Sequence, residues 1–329
     1  MDSTNHATAV HDVDLAFLRS WALPQPDGEG DKELRGHVLV LGGSCEMPGA
    51  VILAATAALR AGAGKLTIAT GASVAQLVAL AMPEARVIAL AEHTSAGFSL
   101  DAVASLDPLA DHVDAILIGP GMCDEPATAA LVHALLPRLD AARTNIVLDA
   151  CAMGAMLHPP LGWPEGRPFR FERPVILTPH AGEMAHLTGV DKAGIVERPD
   201  PHALSTARAW NALMIVKGAR TVIASPEGEL WQHEGAGNIG LAISGSGDVL
   251  AGIIAGLVAR GAAPAQAACW GVALHARAGD RLAERLGTLG YLAREISQEI
   301  PALLEQVGGH AAADAPTIRP SPVGQELGA

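Results

Sequence analysis

Residues 37–70 read HVLVLGGSCEMPGAVILAATAALRAGAGKLTIAT, and the order of their parts decides the fold. HVLVL is an apolar run of strand length, closed by Gly42 and Gly43. Residues 50–61 form an Ala-rich stretch of helical length, and KLTIAT at 65–70 is a second apolar strand. Strands that stay apolar at every position must be covered on both faces, as in parallel sheets joined by crossover helices. The pattern returns at RVIAL (86–90), AILIG (115–119), NIVLD (145–149), VILT (175–178) and MIVKG (214–218), mostly with Ala-rich helical segments between. TVIAS (221–225) and ELWQH (229–233) are instead split by Pro226-Glu227-Gly228, which predicts a hairpin at one sheet edge. The last third predicts helices over 246–260, 264–285 and 292–306, with Pro264 in a first turn where no N–H is needed.

These elements predict one α/β domain over 36–306: a mostly parallel central sheet flanked by helices on both faces, with an edge hairpin. Its ligands belong at the carboxyl ends of the strands. Residues 1–35 are expected to be an arm packed on the domain. Residues 307–329, where Gly, Ala and Pro dominate and no periodicity survives, are expected to be a disordered tail.

Composition narrows the function. The 329 residues carry 22 Lys+Arg and 35 Asp+Glu, a net charge of −13, with no basic cluster. That excludes a nucleic-acid partner, whose phosphates require one. Only 3% of residues are aromatic although half are hydrophobic, so the core must be aliphatic. No apolar run is long enough to span a bilayer and no signal-peptide pattern is seen, so a cytoplasmic protein without membrane contact is expected. Cys45, Cys123, Cys151 and Cys269 form no C-x-x-C pair, and no structural disulfide is expected. The histidines make no H-x-x-x-H pair; His158, His186 and His275 are read as structural or surface residues. No protein-only metal site is expected. Any metal would be Mg2+ carried with a nucleotide, which keeps most of its waters.

Four clusters carry candidate chemistry. The strongest is GNIGLAISGSGD (237–248), set at the start of a helix. Small residues there present backbone N–H groups at a positive dipole end, so Gly245, Ser246 and Gly247 would make an anion hole with Asp248 beside it. Ser246 or Asp248 capping the helix is the ordinary alternative. Asp248 is expected to be ionised at neutral pH, a weak base that suffices for phosphoryl transfer, whose loose transition state needs positioning more than deprotonation. Leu41-Gly42-Gly43-Ser44 with Met47-Pro48-Gly49-Ala50, and Gly119-Pro120-Gly121, end two strands; each is a ligand-facing turn or merely a tight one. Thr178-Pro179-His180-Ala181-Gly182-Glu183 offers His180 and Glu183 for hydrogen bonding or proton transfer, or else starts a helix with Thr178 as cap. Lys217, Gly218, Ala219, Arg220 and Thr221 form a basic turn suited to a nucleotide's phosphate or sugar, or to solvent.

In order, GHVLVLGGSCEMPGAVILAATAALRAGAGKLTIAT, IGPGM, LDACAM, ILTPHAGEM, VKGARTVIASPEGEL and GNIGLAISGSGDVLAGIIAGLVARG resemble the ADP/ATP-dependent NAD(P)H-hydrate dehydratases, a branch of the ribokinase-like fold. The resemblance covers roughly residues 15–305 and implies a carbon–oxygen lyase acting in metabolite repair. A nucleotide would phosphorylate the ring hydroxyl of (6S)-NAD(P)H hydrate, and elimination of phosphate would restore NAD(P)H. With ADP the products would be AMP and phosphate. It implies Ala50, Gly121, His180 and Asp248 facing the hydrate, with Asp248 as base. Lys217, Gly218, Ala219, Arg220, Thr221 and Gly247 would hold the nucleotide, with Mg2+ as cofactor. It further implies a homotetramer and a separate NAD(P)H-hydrate epimerase, since the fused epimerase domain of many relatives is not seen here. Three stretches depart from the family's pattern. Cys151 replaces the second Asp after Asp149, Cys123 replaces a glycine, and Ile239 with Ile243-Ser244 replaces Pro and Thr-Gly. The same anion hole and base would also serve a ribokinase-like kinase of a small alcohol or vitamin precursor, or a nucleotide-binding protein without turnover. His180-x-x-Glu183 and Met47-Pro48-Gly49 favour the dehydratase.

Overall fold

The apolar runs pair into one sheet in a computed structural model that describes residues 9–25, 32–93, 97–235 and 239–308. Its strands are β1 (Val10–Asp12), β2 (His37–Leu41), β3 (Lys65–Gly71), β4 (Arg86–Leu90), β5 (Ala115–Ile118), β6 (Asn145–Leu148), β7 (Val175–Leu177), β8 (Ala212–Val216), β9 (Thr221–Ala224) and β10 (Leu230–His233). They lie in the order β1-β10-β9-β8-β7-β6-β5-β2-β3-β4. From β8 to β4 every neighbouring pair is parallel. The chain's winding reverses between β2 and β5, the switch point where such sheets open a crevice. The hairpin β9–β10 is antiparallel as read from sequence, but the outermost place belongs to β1, which pairs parallel with β10. Three residues from a polar arm carry no strand signature, so only the sheet edge they satisfy reveals them.

The helices are α1 (Leu15–Ser20), α2 (Pro48–Arg60), α3 (Ala75–Ala81), α4 (Ala102–Leu106), α5 (Glu125–Ala142), α6 (Ala181–Thr188), α7 (Lys192–Glu197), α8 (Pro199–Trp210), α9 (Ser246–Ala259), α10 (Pro264–Leu286) and α11 (Ala293–Gly308). Strand alternation sorts them into two layers. Val38 and Val40 of β2 face the core shared with α2, α9, α10 and α11, while Leu39 and Leu41 face the one shared with α5, α6 and α8. Among the described residues no helix is long and apolar enough to cross a membrane. The last helix continues to Gly308 with Val307 buried, so the boundary read at 306 falls short. Glycines after Val307 hid the fact that the residue completes a buried stripe with Ile300 and Leu303. Residues 309–329, the rest of the expected tail, lie outside the described residues.

The closest approach between two helices joins α2 and α9. A Cβ at Gly252 would stand 2.1 Å from the Ala54 carbonyl oxygen, and one at Gly256 would stand 2.4 Å from that of Ala58. The two backbones meet directly, which only glycine allows. Intrinsic propensity alone would have Gly→Ala stabilise a helix by about 1 kcal/mol. Gly252→Ala is expected to do the reverse, costing about 3 kcal/mol by overpacking. Gly194→Ala in α7, whose Cβ would meet nothing closer than 4.0 Å, should follow propensity and stabilise. Thermal melts of the two variants check the contrast, and two stabilised proteins would refute it.

Candidate active site

The switch point is built by two glycine turns locked together. Gly43 N–H donates to the Pro120 carbonyl at 2.7 Å. A Cβ on Gly42 would stand 2.2 Å from that same oxygen. Gly121 sits at φ +72, where a Cβ would lie 2.4 Å from the Met47 carbonyl oxygen and 3.1 Å from the Ala50 Cβ. Ala50 and Gly121, predicted as partners in one site, therefore touch. Both turns are tight, and Gly42, Gly43, Pro120 and Gly121 are all buried.

Asp248 reaches this corner through helix geometry. Ala50, Ala54 and Ala58 form one i, i+4 stripe on α2; Asp248, Gly252 and Gly256 form another on α9. Gly252 meets Ala54 and Gly256 meets Ala58, so the stripes run parallel and one turn back aligns Asp248 with Ala50. The α9 N-cap is Gly245 at φ 89, and no side chain caps the helix. The alternative in which Ser246 or Asp248 merely caps it is thus overturned. The Ser246 hydroxyl is turned instead to His275 Nε2, 3.0 Å away. First-turn N–H groups such as those of Gly247 and Asp248 precede the helix's own acceptors and are suited to an anion. Gly237 and Asn238, at the head of the predicted motif, lie outside the described residues.

A buried charge cluster adjoins the turn. Lys217 Nζ stands 3.3 Å from Asp149 Oδ1 and 3.9 Å from Glu183 Oε2. The Thr178 hydroxyl donates to Asp149 as well, so Thr178 braces β6 rather than capping α6. Burial acts to lower the Lys217 pKa, but the Asp149 and Glu183 carboxylates outweigh it and hold the ammonium above its ordinary value. Asp248 is the correction: burial first, then the Asp149 charge, push its carboxyl up to about 7. The helix dipole invoked for an ionised Asp248 is outweighed by desolvation and a second carboxylate. A base poised near neutrality is a better proton acceptor than the weak one expected.

His180 is itself the N-cap of α6 and forms a capping box with Glu183. Its Nδ1 accepts the N–H groups of Gly182 and Glu183, so the neutral ring carries its proton on Nε2. It therefore presents a donor to the cleft rather than a base. A helix does start here, as one reading of the sequence had it, but His180 rather than Thr178 caps it.

His180, Lys217, Gly218, Ala219, Thr221, Ser246 and Gly247 line one cleft of about 690 Å³. Its far wall is aliphatic, with Leu241, Ile243, Leu250 and Val272. Ala50 and Gly121 lie beyond this wall, joined to it where a Gly245 Cβ would meet Leu53 Cδ1 of α2 at 2.5 Å. Arg220 does not line the cleft; its guanidinium turns away to Asp200. His275, read as structural or surface, is buried in the cleft wall, where burial pushes its pKa down to about 4 and keeps it neutral. Its only sequence signal was its place one face along from buried Val272 and Ala276. None of the four cysteines is joined in a disulfide, and among the described residues no three side chains form a metal cage.

A family model described as NAD(P)H-hydrate dehydratase matches residues 38–302. An ADP-dependent (S)-NAD(P)H-hydrate dehydratase of Xanthomonas campestris is 50% identical over 298 residues, 91% of this chain and 97% of the relative. The solved ADP/ATP-dependent NAD(P)H-hydrate dehydratase of Bacillus subtilis, co-crystallized with ATP and Mg2+, superposes with a TM-score of 0.75 at 29% identity. That match covers 92% of this chain and 100% of the other. A ribokinase-like superfamily protein of Enterococcus faecalis gives 0.73 at 25% identity, covering 91% and 96%. The ribokinase-like fold read from the sequence is the one observed.

The buried carboxyl has a consequence for stability. Because the folded value of Asp248 lies above the unfolded one, its contribution is favourable at pH below about 4 and is lost as pH rises through about 7. Asp248→Asn removes that loss, so the variant should outlast the wild type by roughly 2 kcal/mol at pH 8 and match it at pH 4. Denaturant titrations at the two pH values decide this; equal stability at pH 8 would sink the account.

Proposed function

The chain belongs to the NAD(P)H-hydrate dehydratase family, and from that membership we propose how its cleft divides the work. The reaction is the ADP-dependent dehydration of (S)-NAD(P)H hydrate, a lyase reaction that returns the damaged nucleotide to NAD(P)H. The observation that carries the residue roles is the placement of Asp248 and the first turn of α9 between the Lys217 cleft and the Ala50–Gly121 corner. The hydrate's nicotinamide ring lies at that corner, near Ala50, Gly121 and His180. ADP lies in the aliphatic cleft, held by the 217–221 turn and Gly247.

In the first step the ring hydroxyl attacks the terminal phosphorus of ADP, its proton passes to Asp248, and AMP leaves. Lys217 and first-turn N–H groups such as that of Gly247 stabilise the charge on the transferring group, which is the main task in such chemistry, whereas the Ser246 N–H donates to the Ile243 carbonyl. In the second step the phosphate departs with the C–O electron pair, a proton is lost from the neighbouring ring carbon, and the dihydropyridine double bond forms. The His180 Nε2–H is suited to hold an oxygen of the substrate or the leaving phosphate.

Magnesium fits this donor chemistry. Asp149, Glu183 and Asp248 offer hard carboxylate oxygens around Lys217. Glu183, more open than Asp149, would receive its waters, and the ion would screen phosphate charge. We also infer a cytoplasmic homotetramer that works beside a separate NAD(P)H-hydrate epimerase.

Incubation with NADH hydrate, ADP and Mg2+ should restore the absorbance of the reduced nicotinamide. Asp248→Ala should lower that rate roughly 10³-fold. For the wild type, kcat/KM should climb with pH through about 7 as Asp248 loses its proton. A stable phosphorylated product, or a flat acid limb, would overturn the assignment.

A further inference from the structure

Arg220 stands in the turn that lines the nucleotide cleft, yet its side chain points out of it. Arg220 Nη1 and Nη2 donate to Asp200 Oδ1 and Oδ2 at 3.1 and 2.9 Å, a bidentate pair on the first turn of α8. Nη1 also donates to Gln232 Oε1 of β10 at 2.9 Å. The Gln232 amide continues the chain, with Nε2 donating to Asp12 Oδ1 of β1 at 2.6 Å. The neighbouring backbone ties the same strands, as Val13 N–H donates to the Gln232 carbonyl at 2.8 Å and His233 Nδ1 meets the Val13 carbonyl at 2.7 Å.

We propose that Arg220 is a positioning residue, the middle of a relay Asp12–Gln232–Arg220–Asp200 through which the N-terminal arm sets the shape of the nucleotide-binding turn. The chemistry of the links fixes their order. Arginine only donates and carboxylate only accepts, so the residue between Arg220 and Asp12 must do both, which a glutamine amide does in one orientation. The turn itself is compact. A Cβ on Gly218 would meet the Arg220 carbonyl oxygen at 3.1 Å, and Gly218 N–H approaches Thr221 Oγ1 at 3.5 Å. A pull on Arg220 is therefore felt at Gly218, Ala219 and Thr221, which face the cleft. Asp200 holds the turn from α8, and Gln232 holds it from the hairpin. Asp12 keeps Gln232 from rotating away. This inference rests on the reading of the cleft as the nucleotide site and assigns that reading a control point more than 200 residues away in sequence.

The test uses the full-length chain. ADP affinity is measured by titration calorimetry, and KM for ADP and for the hydrate are measured separately. Arg220→Ala should weaken ADP about tenfold, the scale of one lost charge-assisted anchor. Gln232→Leu and Asp12→Ala should weaken it several-fold in the same direction. In Gln232→Leu and Asp12→Ala, the hydrate KM and kcat at saturating ADP should stay near wild type. Asp12→Asn, which keeps the accepting oxygen, should restore ADP affinity, whereas a merely structural role would not distinguish it from Asp12→Ala. Loss confined to Arg220→Ala would mean that the guanidinium meets the nucleotide directly, and would overturn the relay. A rise in hydrate KM together with a fall in kcat in Gln232→Leu or Asp12→Ala would overturn it too. Failure of the wild type to bind ADP at all would bring down the reading of the cleft itself, an outcome distinct from the other two.

Discussion

The structure depends on the direct contact between the backbones of α2 and α9. Two glycines one turn apart, Gly252 and Gly256, admit the carbonyl edge of Ala54 and Ala58. Any side chain there would push the helices apart by more than an ångström, and packed cores do not absorb such a shift gradually. The contact also has consequences at the helix ends. Each helix begins at the crevice, so the distance between their first turns is set by the same stripe. Ala50 stands at one first turn and Asp248 at the other. The Gly43–Pro120 hydrogen bond then fixes Gly121 against Ala50, and the sheet's switch point becomes one rigid corner.

The charge inside this corner is deliberate in its imbalance. One ammonium, Lys217, faces Asp149, Glu183 and Asp248, a negative excess in the site proposed for phosphates. Desolvation resolves part of it by raising Asp248 to about 7, so the cluster sheds a charge by holding a proton. A phosphate-bound cation would relieve the rest. The chain's overall −13 therefore says little about phosphate affinity, which is decided by backbone N–H groups and one lysine within a few ångströms.

Most of the architecture was legible because its signals are local. Apolar runs closed by glycine marked β2, β5 and β8 to within about two residues, and Pro264 marked the start of α10. The Gly-Ser-Gly-Asp turn was legible as the start of a helix, with Gly245 at its N-cap. Three features were not. β1 is specified by the unpaired edge of β10 and by Trp21 stacking on Trp231, not by its own three residues. The direction of Arg220 depends on Asp200 and Gln232, which approach only after folding. The protonation of Asp248 depends on burial and on Asp149, 99 positions away, so no motif could carry it. In each case the missing information is a long-range neighbour.

Scarcity of aromatics shapes the nucleotide half as well. Where many sites stack a base on a ring, the described wall here is Leu241, Ile243, Leu250 and Val272, with Ile239 beside them 69% exposed. An isoleucine left that open at a cleft mouth is unfavourable unless something apolar covers it, and a purine face is flat and apolar enough to do so. Aliphatic contact is less directional than stacking, so it would leave the base's rotation loosely set. Orientation then has to come from the polar turn at 217–221, and this is why the anchoring of that turn through Asp200, Gln232 and the arm matters more here than in a cleft with an aromatic shelf.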